Sequence, residues 1–161
     1  MARRVLVGTS GWSYDHWRSV FYPSDLPRED WLAFYAQTFP TVEVNSSFYR
    51  LPFVNMVLGW RRRTPEEFLF AAKFSRQATH VQRLRDCQQI AQRWLERMQL
   101  LGEKLGVILV QLPPGLHRDV SLLEDFLRLF PQGTRVAVEF RHSSWECDEV
   151  YDLLRVLGVA H

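Results

Sequence analysis

Four polar residues stand at or near the ends of short apolar segments, where they could perform acid/base chemistry. They are Glu43, Lys73, Gln111 and Glu139. Two carboxylates can act as general acid and general base when their surroundings separate their pKa values. A buried lysine beside them could form a Schiff base with a carbonyl substrate. Glu43, Lys73 and Glu139 are therefore the catalytic candidates.

A structural alternative uses the same charges. Lys73 and Arg141 would neutralise Glu43 and Glu139 in a buried ion network, because an unpaired buried charge is costly. A metal site is a further alternative, although the spacing matches no recognised metal motif, and neither the metal nor a cofactor can be identified. Its ligands would come from Glu43, Glu139, His142 and His80.

Polar and aromatic residues that follow the apolar segments could bind a ligand. Several aromatic faces around one opening suit stacking on a sugar ring or a nucleobase, or they simply plug the opening. A phosphate could bind to Thr9, Ser10 and the amide of Gly11, with Arg141 or Arg76 nearby. The ligand-binding candidates are Thr9, Ser10, Trp12, Tyr14, Asn45, Tyr49, Gln111, Arg141, His142 and Trp145.

These residues must be positioned by alternating strands and helices. Apolar runs predict strands at 4–8, 41–45, 68–73, 106–111 and 135–140. Segments of helical period predict helices near 28–38, 53–63, 86–101, 119–130 and 146–157. Successive strands begin at intervals typical of a βα unit. The sequence therefore predicts a parallel α/β protein, either a doubly wound sheet or a barrel.

The strand interiors favour the barrel. In the last strand, Val136, Val138 and Phe140 share one face, while the other face becomes polar at Glu139 and Arg141. A sheet covered by helices on both sides should be apolar on both faces. A barrel instead has an inner face that opens into a mouth at the carboxyl ends of its strands. We therefore expect the four polar residues to point into such a mouth.

Five βα units cannot close an eight-fold barrel. A closed barrel needs roughly 250 residues, whereas this chain has 161. Its final residues, 158–161, resemble a strand that is cut short. We therefore expect residues 1–161 to form one partial domain of a truncated protein, which should self-associate or stay partly molten because an open arc leaves unpaired strand edges.

Five motifs occur in order along the chain, each at the end of a predicted strand. They are VGTSGWSY at 7–14, EVNSSFY at 43–49, FAAKFSR at 70–76, VQLPP at 110–114 and VEFRHSSW at 138–145. In these motifs the sequence resembles the DUF72 (YecE-like) family. The resemblance implies a TIM-barrel-like fold and a family length near 250 residues, whose last third is missing here. It implies a fold but no particular reaction.

Composition excludes several classes of protein. Hydrophobic residues make up 47% and aromatic residues 14%, which excludes disordered and collagen-like chains. No apolar run is long enough to span a membrane, and the amino terminus lacks a signal-peptide core, so a cytoplasmic location is expected. With 20 basic and 18 acidic residues, the net charge of +2 does not indicate nucleic-acid binding by bulk electrostatics. Cys87 and Cys147 fit neither a zinc nor a redox spacing.

The sequence thus supports three functional hypotheses. The first is a barrel enzyme that binds a small polar or phosphorylated ligand and catalyses acid/base hydrolysis or isomerisation. The second is a non-catalytic module that binds a nucleotide or nucleic acid through aromatic residues and arginines, to which the run at 61–63 could contribute. The third is a truncated fragment without activity of its own.

Overall fold

Five parallel strands alternate with helices in the computed structural model, which describes residues 5–161. The strands are β1 Gly8–Ser10, β2 Thr41–Val44, β3 Leu69–Lys73, β4 Leu105–Gln111 and β5 Val136–Glu139. The α-helices are α1 Trp31–Thr38, α2 Ser46–Tyr49, α3 Val54–Arg62, α4 Gln88–Met98, α5 Val120–Leu127 and α6 Asp148–Leu157. This alternation confirms the predicted parallel α/β class with five βα units.

The sheet has the order β1-β2-β3-β4-β5, so each strand pairs with the next one along the chain. Residues paired across neighbouring strands point to the same face, as do residues two apart on one strand. The pairs that matter here are Ser10–Glu43, Glu43–Ala71, Lys73–Leu109 and Gln111–Glu139. The register therefore places Ser10, Glu43, Lys73, Gln111 and Glu139 on one face, in the phase that the sequence predicts.

The opposite face of the sheet carries the hydrophobic core. Val42, Phe70, Ile108, Val110 and Val138 are buried there with the apolar sides of the helices. Most of the intervening strand residues are half-buried or exposed, and several of them line an open hollow of about 700 Å³. The core thus lies outside the curve of the sheet and the polar residues inside it, which is the arrangement of a barrel wall.

The first strand begins later than its apolar pattern predicts. The predicted strand covers 4–8, but β1 runs from Gly8 to Ser10, and residue 4 lies outside the described residues. Val5 and Val7 are exposed. The reason lies in the partner strand, because Gly8 pairs with Thr41, the first residue of β2, and the amide of Phe39, the next position that would face β1, donates instead to the Tyr35 carbonyl at the end of α1. The ladder therefore cannot extend towards the amino terminus.

The helices lie where predicted, with changes at their ends. The predicted helix at 86–101 begins at Gln88, and after Met98 it continues as 3-10 turns to Lys104. Two short elements were not predicted: α2 after β2, and a π-helical turn at Gln77–Val81 after β3. Both follow the carboxyl end of a strand. They therefore shape the side of the sheet on which the candidate residues lie.

The chain ends beside β5. Ala160 pairs in parallel with Ala137, and Val138 donates a backbone hydrogen bond of 2.9 Å to the Ala160 carbonyl. A sixth strand position thus begins at the place that the sequence indicates. On the other side of the sheet, β1 has no second neighbour among residues 5–161.

None of the helices in residues 5–161 is long and apolar enough to cross a membrane.

Candidate functional site

The carboxyl ends of the strands bring most of the candidate residues to one side of the molecule, which we call the mouth. The mouth contains Ser10, Glu43, Lys73, Gln111 and Glu139 on the inner face of the sheet. In parallel barrels, the loops at this end supply the residues that bind and convert ligands. The contacts of these side chains divide the mouth into two halves.

The half formed by β4 and β5 is organised around Glu139. Buried Gln111 donates from Nε2 to Glu139 Oε2 at 2.8 Å, and Arg141 donates from Nε to Glu139 Oε1 at 2.7 Å. Burial acts to raise the pKa of Glu139, but these hydrogen bonds and the positive charges of Arg141 and Lys73 outweigh it and lower the pKa below its usual value. Glu139 is therefore ionised at neutral pH and fixes the orientation of Arg141.

Lys73 is held by an aromatic ring. Its Nζ lies 4.7 Å from the centre of the Phe48 ring, a cation–π contact. Among the described residues, neither Lys73 nor Glu43 forms an ion pair. The ion network proposed from the sequence is thus present only as the Glu139–Arg141 pair. The Phe48 ring favours a positively charged side chain at Lys73. A charged lysine can bind an anion, whereas attack on a carbonyl requires an uncharged amine.

His80 joins the mouth from the π-helical turn after β3. Its Nδ1 lies 2.8 Å from the Thr79 hydroxyl, and its ring packs edge-on against Phe48. Burial lowers the pKa of His80, and the nearby charges of Arg76, Lys73 and Arg141 lower it further. His80 is therefore neutral at pH 7. The sequence indicated it only as a possible metal ligand, because helical periodicity cannot predict a π-helical turn.

The half formed by β1 and β2 is organised around Ser10. The Ser10 hydroxyl donates to Glu43 Oε1 at 2.7 Å and accepts a hydrogen bond from Asn45 Nδ2. The Tyr14 hydroxyl donates to the Ser10 carbonyl. These contacts link Glu43 to Asn45 and Tyr14, three residues that the sequence singled out. Glu43 accepts a hydrogen bond from the neutral hydroxyl of Ser10, whereas Glu139 pairs with the guanidinium group of Arg141.

The phosphate site proposed after β1 is occupied by hydrogen bonds of the fold. The amide of Gly11 donates to the Glu43 carbonyl at 2.9 Å, and the Thr9 hydroxyl donates to the Gly11 carbonyl at 2.7 Å. The Thr9 amide donates to the Tyr35 hydroxyl at 2.9 Å. Thr9 and Gly11 therefore join β1 to its neighbours, and only Ser10 faces the mouth.

The two carboxylates that the sequence predicts to be catalytic do not form a close pair. Glu43 and Glu139 are on β2 and β5, three strand spacings apart, which is roughly 14 Å along the sheet at about 4.8 Å per spacing. Each carboxylate has its own hydrogen-bond partners. At this separation the two carboxylates could act together only on a ligand that extends from β2 to β5.

The aromatic candidates lie in different surroundings. Trp145 is buried, stacks on Phe140 at 5.0 Å and donates from Nε1 to the Leu116 carbonyl at 2.7 Å, so it belongs to the core. Trp12 is half-buried, while Tyr49 is exposed to 76%. The sequence therefore marks the aromatic residues of the loops but does not separate those that face solvent from those that pack inside.

The histidines and the acidic residues proposed as metal ligands are not gathered together. His142 stacks on His117 with ring centres 4.0 Å apart, and its Nδ1 lies 2.9 Å from the Ser144 hydroxyl. Within residues 5–161, no group of three or more histidine, cysteine or acidic side chains is placed to hold a metal ion. Glu43, Glu139 and His80 each make the separate contacts described above.

Comparison with known proteins identifies relatives of the chain. Residues 6–161 match the model of a family described as "Protein of unknown function DUF72". The UPF0759 protein YecE of Escherichia coli K12 is 32% identical over 139 residues, which are 86% of this chain and 48% of YecE. The UPF0759 protein YunF of Bacillus subtilis is 27% identical over 92% of this chain and 54% of YunF. The chain thus spans about half the length of these curated relatives.

Solved structures agree with this assignment. A DUF72 family protein from Thermotoga maritima superposes with a TM-score of 0.84 and 32% identity, over 98% of this chain and 63% of that chain. A DUF72 family protein from Enterococcus faecalis has the same fold, with a TM-score of 0.74, 22% identity and coverage of 94% of this chain and 57% of its own. The motifs, the TIM-barrel-like fold and these matches show that the chain belongs to the DUF72 family.

Proposed function

We propose that the mouth binds a small anionic metabolite, phosphorylated or carboxylated, and that acid/base chemistry such as hydrolysis or isomerisation takes place on it. The observation that carries this proposal is the gathering of basic side chains at one set of strand ends. Burial is the main cause of the lowered pKa of His80. The pKa is lowered further by the nearby positive charges of Arg76, Lys73 and Arg141.

The positive charge in this group is only partly neutralised. Arg141 is paired through Nε with Glu139, whereas Lys73 and Arg76 form no ion pair among residues 5–161. Like charges held together raise the energy of the empty protein, and an anion between them lowers it. Preorganised cations of this kind stabilise the negative charge of a ligand and of a transition state.

The acidic residues then take different roles. Glu139 is a positioning residue, because its lowered pKa keeps it ionised and its carboxylate holds Arg141. Glu43 is the candidate general base, since its carboxylate accepts a hydrogen bond from the Ser10 hydroxyl rather than pairing with a cation. Neutral His80 supplies a second group that can accept or donate a proton near pH 7. Lys73 would contact the anionic group of the ligand.

A cytoplasmic location is part of this proposal. Cys87 and Cys147 are both free thiols, the first buried and the second half-buried. Free thiols are typical of proteins in reducing compartments, where disulfides rarely form.

The proposal is tested by calorimetric titration of the chain with inorganic phosphate, sugar phosphates and small carboxylates. Lys73→Met and Arg141→Gln should each weaken binding about tenfold to a hundredfold, as expected for the loss of a charge-assisted contact. Arg155→Gln is the matched control, because Arg155 pairs with Asp152 on α6 and lies outside the mouth. It should leave the affinity unchanged.

Two outcomes would contradict the proposal. Absence of binding at millimolar concentrations of every probe would favour the inactive fragment. Binding of RNA or DNA that weakens steeply with salt, together with no binding of small anions, would favour the nucleic-acid module instead.

A further inference from the structure

A second cavity opens beside the mouth, between the segment that follows β1 and helix α3. This cleft has a volume of about 600 Å³ and is lined in part by Trp12, Tyr14, Asn55, Gly59, Arg62 and Arg63. Its volume lies in the range of small-molecule sites. It contains none of the charged residues proposed for the mouth, although Tyr14 and Asn45 from the Ser10 half of the mouth also line it.

One wall of the cleft is aromatic and held in place. The Trp12 ring packs edge-on against Trp60, with ring centres 5.6 Å apart and planes 88° apart. Tyr22 donates a hydrogen bond of 2.6 Å to the Trp12 carbonyl, and the Tyr14 hydroxyl donates a hydrogen bond to the Ser10 carbonyl. Trp12 and Tyr14 are both only half-buried. The cleft thus presents fixed aromatic surface, which suits a flat ring.

The cleft also carries positive charge. Arg62 and Arg63 are exposed at the end of α3, and neither pairs with a carboxylate in the described part of the chain. Arg28 and Glu29 also line the cleft, but Glu29 does not pair with these arginines, and Arg28 is paired with Asp15, which does not line the cleft. Two guanidinium groups are therefore available to an anionic group in the cleft.

Gly59 leaves the floor of the cleft open. It lies inside α3, where glycine disfavours the helix relative to alanine. A Cβ atom at this position would have no other atom within 4 Å, so no close neighbour requires glycine, and its φ is not positive. The missing side chain has no packing reason in the fold. Its effect is to leave space between Trp12 and the arginines.

From this combination we propose that the cleft binds a nucleoside phosphate. The base packs against Trp12 and Tyr14 above Gly59, the amide of Asn55 meets the polar edge of the base, and the phosphate pairs with Arg62 and Arg63. A nucleoside phosphate contacts both the aromatic residues and the arginines. Inorganic phosphate contacts only the arginines, and a neutral nucleoside contacts only the aromatic residues. This site does not depend on the function proposed for the mouth.

The experiment is a calorimetric titration with adenosine monophosphate, with adenosine and inorganic phosphate as half-ligands. Arg62→Gln and Arg63→Gln should each weaken binding of the monophosphate about tenfold or more. Arg61→Gln is the matched control, because Arg61 has the same charge on the same turn of α3 but lies outside the cleft. Equal losses in all three variants would overturn the proposal, because they would indicate a general charge effect.

A second variant tests the cleft without removing charge. Gly59→Leu places a side chain in the open space and replaces a poor helix former with a good one. It should abolish binding of adenosine monophosphate while the thermal unfolding temperature stays the same or rises. Retained binding in Gly59→Leu, or no binding in the original chain, would refute the site. Binding of adenosine monophosphate that weakens in Lys73→Met but not in Arg62→Gln would place the nucleotide in the mouth and would also refute the site.

Discussion

At the scale of single residues, Glu139 shows how neighbours assign a role to an acidic side chain. The sequence identifies it as a catalytic candidate because it ends a strand on the polar face. The structure adds two donors, Gln111 and Arg141, which stabilise the ionised carboxylate. A carboxylate with a lowered pKa is a weak base but a good anchor for a guanidinium group. Its effect should therefore be visible in stability as well as in binding.

The Glu139–Arg141 pair should make the stability of the fold depend on pH. Because the folded-state pKa of Glu139 lies below its ordinary value, the pair contributes fully above that value, near 4.5, and its contribution is lost as the pH falls through the lowered pKa. Glu139→Gln should lower the free energy of unfolding at pH 7 by no more than about 1 kcal/mol, since both side chains are partly exposed. Urea unfolding at several pH values measures this.

The control for that measurement is the partner residue. Arg141→Gln should show the same loss at neutral pH, and the double variant should lose little more than either single variant. A difference between Glu139→Gln and the original chain that persists unchanged at the lowest pH at which the chain is folded would contradict the assignment of the shift to Glu139.

His80 should make anion binding at the mouth depend on pH. Its pKa lies below 6.5 because of burial and the surrounding cations. Protonation at lower pH adds a positive charge, so the affinity for sulfate should rise several-fold, on the order of tenfold at most. Sulfate is the suitable probe because it does not titrate in this range. Titrations from pH 8 to pH 5 should show the rise, and His80→Gln should remove it.

Exposed His16 provides the matched histidine control for this experiment. His16→Gln should leave the pH dependence in place. If sulfate affinity did not change with pH in the original chain, or changed equally in His80→Gln, the placement of His80 among the binding residues would be wrong.

At the scale of elements, the sequence predicts what depends on local periodicity. The alternation of Val42 and Val44 with polar residues correctly gives the buried face of β2. The start of β1 could not be predicted, because it depends on pairing with a strand that begins after Pro40. The burial of Trp145 could not be predicted either, because the Leu116 carbonyl that it contacts is 29 residues away in the chain. Contacts distant in sequence decide which loop residues face the mouth.

Helix α3 allows a direct test of an element and of the open space beside it. Gly59→Ala should raise the free energy of unfolding by about 0.5–1 kcal/mol, because alanine favours the helix and its Cβ meets no other atom within 4 Å. For a chain of this length, that corresponds to roughly 1–4 °C in the thermal midpoint. Differential scanning calorimetry measures the shift.

Gly102 supplies the opposite control. It has a φ of 60°, and a Cβ there would lie 3.2 Å from the Arg61 guanidinium. Gly102→Ala should therefore destabilise the fold, since an L-residue is strained in this conformation. A loss of stability in Gly59→Ala would show that the space above α3 is filled, contrary to the structure.

At the scale of the whole molecule, the five-stranded arc exposes more surface than a closed domain does. The accessible surface is 9769 Å². A typical monomer of 19.1 kDa exposes roughly 8,400 Å². The excess of about 1,400 Å² is larger than the roughly 800 Å² that each partner contributes to a standard interface. The half-buried inner face and the unpaired side of β1 both contribute to this surface.

We therefore expect the chain to self-associate through the inner face of the arc. Sedimentation velocity at increasing concentration should show species larger than 19.1 kDa. Ala71→Lys places a charge in the middle of the inner face and should shift the distribution towards the monomer, because association through this face would bury an unpaired charge. Val156→Lys, on an exposed part of α6, is the control and should not. A monodisperse monomer that unfolds in one cooperative transition would contradict this expectation, and it would mean that the arc is stable with its inner face in water.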